Sequence, residues 1–246
     1  MAYEAVSRVY DALMEEVDYQ LWCDFMEELF TSKTEGVRHI LELGCGSGIM
    51  TEKLLEKGYE VVGADVSEEM LELAWERVCR YGNKAILMQQ DIRDLDFEIY
   101  EIDCILSSND TFNYLTQKTQ LEELFSYLYA RLKVGGSLVF DISSEYKLST
   151  VLGDRVYGQS FEDMAYLWEN EYDEQSRELT IRVNVFEQEG EVYRRYEEVQ
   201  VQKAYFKEEI VELLDKTGYK DIEVYGDFSR EHMEETCERW FFCAIK

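Results

Sequence analysis

The chain has 246 residues, 46% of them hydrophobic, and a formal charge of -28 from 53 acidic against 25 basic side chains. That length suits one large α/β domain or one domain with an insertion, and the apolar share can fill a core, which excludes a disordered chain. Binding to a phosphate backbone draws its free energy from Lys and Arg neutralising phosphates, so the acidic balance argues against nucleic acid as a partner.

In chain order, Val6, Val9, Tyr10, Leu13, Met14 and Val17 stand at helical spacing, and Trp22, Phe25, Met26, Leu29 and Phe30 repeat the pattern. Two amphipathic helices are therefore predicted ahead of the first strand. Helices in that place can cap a binding site, which makes Tyr10 and Tyr19 candidate lid residues.

From Val37 to Asp65 an apolar run, a glycine-rich turn, a helical stretch stopped by Gly58 and a second apolar run predict a strand, loop, helix, strand unit. Gly44, Gly46 and Gly48 alternate, so the backbone can turn sharply and approach a ligand where a Cβ would collide. The helix that follows aims its free N–H groups at the same place. Asp65, closing the second strand, is placed to accept hydrogen bonds from ribose hydroxyls, and Glu42 adds a carboxylate just before the turn. A dinucleotide fingerprint needs Gly-x-Gly-x-x-Gly, and counted from Gly44 its third glycine falls on Ile49.

What stands there instead, Glu-x-Gly-x-Gly-x-Gly, resembles the first motif of class I S-adenosylmethionine (SAM) dependent methyltransferases. The resemblance implies SAM as cofactor, and an acidic mouth suits its ammonium and sulfonium. It places Glu42, Gly44, Cys45, Gly46, Gly48, Asp65 and Val66 on that cofactor.

Next, Ser67 caps a helix that runs to about Tyr81 with Gly82 as its stop, and a third strand, Ala85 to Gln89, delivers Asp91 and Ile92. In the resemblance, Asp91 accepts the adenine amino group and Ile92 covers the ring. A fourth strand, Ile102 to Ser107, leads into a loop that open parallel sheets place over the ligand. With no proline in the chain, this loop cannot carry Asn-Pro-Pro-Tyr or a Pro-Cys nucleophile. Its run from Asp110 to Leu115 is similar to the Asp-Ser-x-Asn-Tyr-Leu pattern of the glycine N-methyltransferase-like, small-molecule group. The likeness adds Ser108 and Asn109 to the cofactor residues.

A helix from about Gln117 to Leu132 precedes a Lys133-Val134-Gly135-Gly136 turn and a fifth strand, Ser137 to Ile142. Beyond it the period changes to two, as in Leu179, Ile181, Val183 and Val185, and an antiparallel meander is predicted over residues 153–203. Its aromatic residues Tyr166, Trp168, Tyr172 and Phe186 are candidate walls for a substrate pocket. Within it, the run from Glu198 to Tyr205 resembles a Glu-x-His-x-x-Arg-x-Tyr stretch of related enzymes, from which Gln200 and Lys203 depart. A helix around Ile210 to Leu214 and strands at Ile222 to Tyr225 and Trp240 to Ile245 close the chain.

The implied fold is a Rossmann-like, doubly wound α/β sheet of seven strands in order 3-2-1-4-5-7-6, the last antiparallel, with an antiparallel β insertion after strand 5. Residues 1–152 and 204–246 would form the SAM-binding domain with its helical cap, and 153–203 a lobe over the substrate site. The implied reaction is in-line methyl transfer to a small-molecule N or O nucleophile, for which a general base is optional. Asn109, Asp110, His232 and Tyr10 are the candidates for the acceptor chemistry. A non-catalytic SAM-binding regulator and a nicotinamide-dependent oxidoreductase are the alternatives.

Six scattered cysteines without a Cys-x-x-Cys pair, and only two histidines, support neither a disulfide framework nor a metal site. The N-terminus lacks the basic start and apolar core of a signal peptide, and no apolar run would span a bilayer. A cytoplasmic monomer or homodimer without a membrane partner is expected.

Overall fold

The computed structural model describes residues 17–231 and 233–246. Tyr10, His232 and all but the last residue of the first predicted helix lie outside the described residues. Helix α1 (Tyr19–Thr31) starts where the Asp18 carboxylate accepts the Leu21 N–H at 2.9 Å. Strands and helices then alternate as β1 (His39–Leu43), α2 (Ile49–Glu56), β2 (Glu60–Asp65), α3 (Glu68–Val78), β3 (Ala85–Gln89), β4 (Ile102–Ser107), α4 (Lys118–Arg131) and β5 (Leu132–Ser143). Four strands follow without an intervening α-helix: β6 (Val156–Ser160), β7 (Met164–Asp173), β8 (Glu178–Glu189) and β9 (Val192–Lys203). The chain ends in α5 (Lys207–Thr217), β10 (Lys220–Gly226) and β11 (Arg239–Ile245).

The main sheet has the order β3-β2-β1-β4-β5-β11-β10. Its pairs from β3 to β5 are parallel, and β11 runs antiparallel to both β5 and β10. The sequence expectation of a seven-stranded Rossmann-like sheet therefore holds, its last two strands being β10 and β11. Strand order reverses beside β1, which pairs with β2 on one side and β4 on the other, and the carboxyl ends of these strands open the crevice typical of such a switch point.

Strand alternation decides what each face buries. Leu41 and Leu43 of β1 join α4 and α5 through Leu124, Leu128, Leu213 and Leu214, whereas Ile40 joins α1 and α2 through Met26, Phe30, Leu54 and Leu55. All six residues of β4 are buried, as a central strand covered on both faces requires. Burying each of the large apolar side chains stabilises the fold by about 1.5–3 kcal/mol. The same alternation turns two acidic side chains, Glu42 of β1 and Asp141 of β5, toward the α1 and α2 face. Both are 1% exposed.

Two boundaries differ from the sequence expectation. Helix α3 ends at Val78, and tighter turns with Gly82 at φ 60° carry the chain to β3. The predicted turn at Lys133 to Gly136 is the bulged start of β5, because Leu132 already pairs with Ile102 and the register shifts before Cys104 meets Ser137. Gly136 is needed there, since a Cβ would lie 3.0–3.1 Å from three carbonyl oxygens.

Strands β6 to β9 form a separate antiparallel sheet in sequential order. Its inward face packs Leu179, Ile181, Val183 and Val185 on Met70 of α3 and on Leu148 of a π-helical segment, Lys147–Leu152, that the sequence pattern did not predict. Tyr166, Trp168 and Tyr172 pack against this same cluster. These aromatics hold the second sheet to the main body, and neither they nor Phe186 line the crevice described below.

Candidate functional site

Beyond the carboxyl ends of β1 to β4 lies a crevice of about 400 Å³, within the usual range for small-molecule sites. Of the residues singled out in the sequence, Gly44, Cys45, Gly46, Asp65 and Val66 line its first side, Asp91 and Ile92 its second, and Ser108 and Asn109 its third. Tyr19 of α1, the lid candidate that falls among the described residues, also lines it.

The glycine loop is built by local hydrogen bonds. The N–H groups of Gly44 and Cys45 both donate to the Ala64 carbonyl, at 2.8 and 3.1 Å, which ties the loop to the end of β2. Gly46 donates to Asp65 Oδ2 at 2.8 Å, and Ser67 donates to Asp65 Oδ1 at 2.9 Å. Burial raises the Asp65 carboxyl above its ordinary range, and these N–H groups pull in the opposite direction. Gly44 stands at φ 69°, where a Cβ would lie 2.3 Å from Thr111 Oγ1, so the loop after β4 packs where a larger residue would have its side chain.

Two expected residues are not on the crevice. Gly48 caps α2 at φ 79° and faces Ala74 of α3, whose Cβ would be 2.9 Å from an added Cβ, so its smallness serves helix packing. Glu42 sits behind the loop because strand alternation sends it under α2, where Oε2 accepts the Thr51 hydroxyl at 2.6 Å and Oε1 has no hydrogen-bond partner among the described residues. Burial pushes its pKa up to about 8. Asp91 lines the crevice but its carboxylate is engaged bidentately by Arg93 Nε at 2.9 and 3.0 Å, and the Arg93 hydrogen bonds hold its pKa below the usual value.

The third side is assembled over long range. Asn109 and Asp110 both take left-handed backbone angles, φ 60° and 53°. Their N–H groups donate to the two oxygens of Asp141 at 2.8 and 3.0 Å. Asp141 also accepts the Trp22 indole N–H at 3.2 Å and an ion pair from Arg239. The Arg239 guanidinium lies 4.5 Å over the Trp22 ring and reaches Asp110 Oδ1 at 3.0 Å. Gln202 of β9 donates to the remaining Asp110 oxygen at 2.8 Å. Burial alone would raise the Asp110 pKa, but Arg239, Lys147 and Gln202 outweigh it and hold the carboxyl below its ordinary value. Asp110 is thus a buried ion-pair member that holds the loop, and Asn109 is the one of the pair that lines the crevice.

The same loop grips the second sheet. Buried Asn113 donates to the carbonyls of Ser143 and Lys203 at 3.1 and 2.9 Å and accepts the Ser143 N–H at 2.9 Å. Strand β9 is thereby held beside the crevice, and Val199, Gln200 and Val201 form part of its wall. His39 lies at the opposite end of β1, within 3.4 Å of Glu60 and Asp103, far from these groups in the fold. The site roles of Arg239, Trp22, Gln202, Thr111 and Arg93 escaped the sequence reading. Only the proximity of Arg93 to Asp91 could have signalled any of them.

Comparison with known proteins agrees with this geometry. A family model described as a methyltransferase domain matches residues 40–136. A Bacillus subtilis (strain 168) protein that carries a methyltransferase name, YqeM, is 32% identical over 246 residues, covering 100% of this chain and 98% of the relative. The crystal structure of an S-adenosylmethionine-dependent methyltransferase from Clostridium acetobutylicum ATCC 824 superposes with a TM-score of 0.86 at 30% identity, covering 100% of this chain and 99% of that one. A glycine/sarcosine N-methyltransferase from Halorhodospira halochloris is 26% identical over 235 residues, 90% of this chain and 79% of the relative.

Proposed function

Given that the chain belongs to the S-adenosylmethionine-dependent methyltransferases, we propose that it transfers the methyl group of SAM to the nitrogen or oxygen of a small-molecule acceptor. SAM supplies a methyl on a sulfonium, so that the C–S electron pair stays with sulfur as the acceptor's lone pair forms the new bond.

The residues present suit that cofactor. Asp65 spends one lone pair per oxygen on Gly46 and Ser67, and a carboxylate has further acceptor sites for ribose hydroxyls. Gly44 leaves the loop backbone bare where a Cβ would collide, and Val66 and Ile92 offer apolar surface for a base. Ser108 and Asn109, the latter with its N–H held by Asp141, are the groups on the side where the methionyl end would lie. Arg93 would have to yield part of its hold on Asp91 for that carboxylate to accept an adenine amino group. The chain's own contribution to rate is alignment of the acceptor and exclusion of water.

The observation that carries the small-molecule reading is that β9 adds Val199, Gln200 and Val201 as a further wall to a crevice of about 400 Å³. On this reading residues 153–203 act as a lobe over the acceptor, set on the SAM-binding body of residues 1–152 and 204–246. The net charge of -28 supports it, being unsuited to a polyanionic acceptor. The Halorhodospira halochloris relative, a glycine/sarcosine N-methyltransferase, points the same way. A screen with methyl-labelled SAM tests it: label should enter low-molecular-weight acceptors, and label confined to RNA, DNA or protein would overturn it.

A further inference from the structure

Where β9 meets the loop after β4, the crevice carries a hydrogen-bonded chain that takes no part in the cofactor half. The Tyr114 hydroxyl donates to Gln200 Oε1 at 2.8 Å, and Gln200 Nε2 donates to Glu198 Oε1 at 2.5 Å. Glu198 and Gln200 stand two residues apart on one face of β9, with Glu198 7% exposed and Gln200 half-buried on the crevice wall. A carboxylate only accepts, so Glu198 dictates which end of the amide carries the NH₂ and turns the carbonyl toward Tyr114. Each end of the amide then has capacity left over: one N–H on Nε2 and one lone pair on Oε1.

The charge around this chain is informative as well. Among the described residues that line the crevice, Arg93 is the one cation, and it sits on Asp91 at the adenine side. Tyr19, Tyr114, Thr116 and Gln200 offer neutral polar groups at the other end.

We propose that Gln200 determines acceptor specificity, bonding through its spare N–H and carbonyl to an uncharged group that both donates and accepts: a hydroxyl, an amide or a neutral amine. Glu198 acts through it as a positioning residue. The proposal rests on the small-molecule reading above and narrows it to acceptors that do not present a carboxylate or phosphate to this wall. A site whose buried polar groups are matched to a neutral partner discriminates strongly against one that leaves them unpaired.

The test uses the full chain with methyl-labelled SAM and two matched sets of small molecules. One set holds amino alcohols, amino sugars, amides and phenols; the other holds glycine, sarcosine and further amino acids. Turnover is expected in the neutral set. For the best acceptor, Gln200→Leu should raise the acceptor KM at least tenfold while the SAM dissociation constant stays within twofold, which also shows that the variant is folded. Glu198→Gln should raise the same KM several-fold with kcat little changed. Turnover confined to the carboxylate set, no turnover in either set, or an unaltered KM in Gln200→Leu would overturn the proposal. Label entering only macromolecules would overturn the small-molecule reading itself, whereas turnover of the carboxylates leaves that reading standing and removes Gln200's role.

Discussion

The two halves of the crevice are made by different means. On the glycine-loop side the hydrogen bonds that hold the loop to β2 and Asp65 stay within residues 44–67, Gly44 and Cys45 to Ala64, Gly46 to Asp65 and Ser67 to Asp65. On the side of Asn109 the loop is held by Asp141, Arg239, Trp22 and Gln202, contributed by β5, β11, α1 and β9. The first half is a backbone device with one carboxylate. The second is a buried charge cluster whose members have to be brought together by folding, so damage to it falls on stability first, whereas damage to the first half falls on affinity.

That contrast can be broken most severely at Arg239. Arg239→Met leaves Asp110 and Asp141 buried without their guanidinium, and urea unfolding should show a loss of about 3–5 kcal/mol. Adding Asp141→Asn should recover part of it. An unchanged midpoint in the single variant would mean that the cluster does not hold the loop.

Glu42 probes the ground beneath the glycine loop. Its pKa is pushed up to about 8 by burial, so between an unfolded pKa of roughly 4.3 and that value the native state keeps a proton that the unfolded chain has released. Stability from this group is full below the unfolded pKa and is lost as pH rises toward 8. Glu42→Gln, which stays neutral, should be more stable than the parent at pH 8 by on the order of 2–4 kcal/mol and equal to it near pH 4. Paired urea titrations at the two values measure the difference, and a pH-independent gap would refute the assignment.

Asp65→Ala sharpens the comparison from the local side. Calorimetry should show SAM binding weakened by about 1.5–3 kcal/mol, the scale of charged hydrogen bonds. Unchanged affinity would remove Asp65 from the site. The smallest effect is expected where the halves touch. Gly44→Ala sets a Cβ against Thr111, and adding Thr111→Ala removes the atoms at 2.3 and 2.6 Å while keeping a Cβ at 3.0 Å, so that most of the remaining loss in thermal unfolding is the left-handed backbone cost of about 1–2 kcal/mol. If the double variant is no better than the single, the contact is not what requires the glycine.

How much of this could be read beforehand follows the same division. The individual strands and helices, the glycine spacing and Asp65 were legible because each is written in a few consecutive residues or in a period of two or 3.6, whereas Ile92, Ser108 and the strand order came only with the resemblance those motifs carry. Glu42 and Gly48 lay inside the right motif, but a motif does not say on which side of a strand a side chain falls or which helix a glycine meets. The aromatic residues of the insertion suit either a pocket wall or an anchor to the main domain, and Tyr166, Trp168 and Tyr172 take the second role, packing with Met70 of α3 and Leu148 of the segment Lys147–Leu152. Gln200, noticed only as a departure from a related pattern, proved to face the crevice.

By itself the sequence determined the sheet, the glycine cradle and the carboxylate beside it, since local periodicity and backbone freedom are properties of neighbouring residues. Only the tertiary structure decided that Arg239 and Trp22 hold the loop before Phe112 and that the Gln200 amide of β9 lines the crevice. The hydrogen bonds of the cluster that holds this loop join residues up to 129 positions apart, and charges meet at such separations only after the core has packed and water has been expelled from between them.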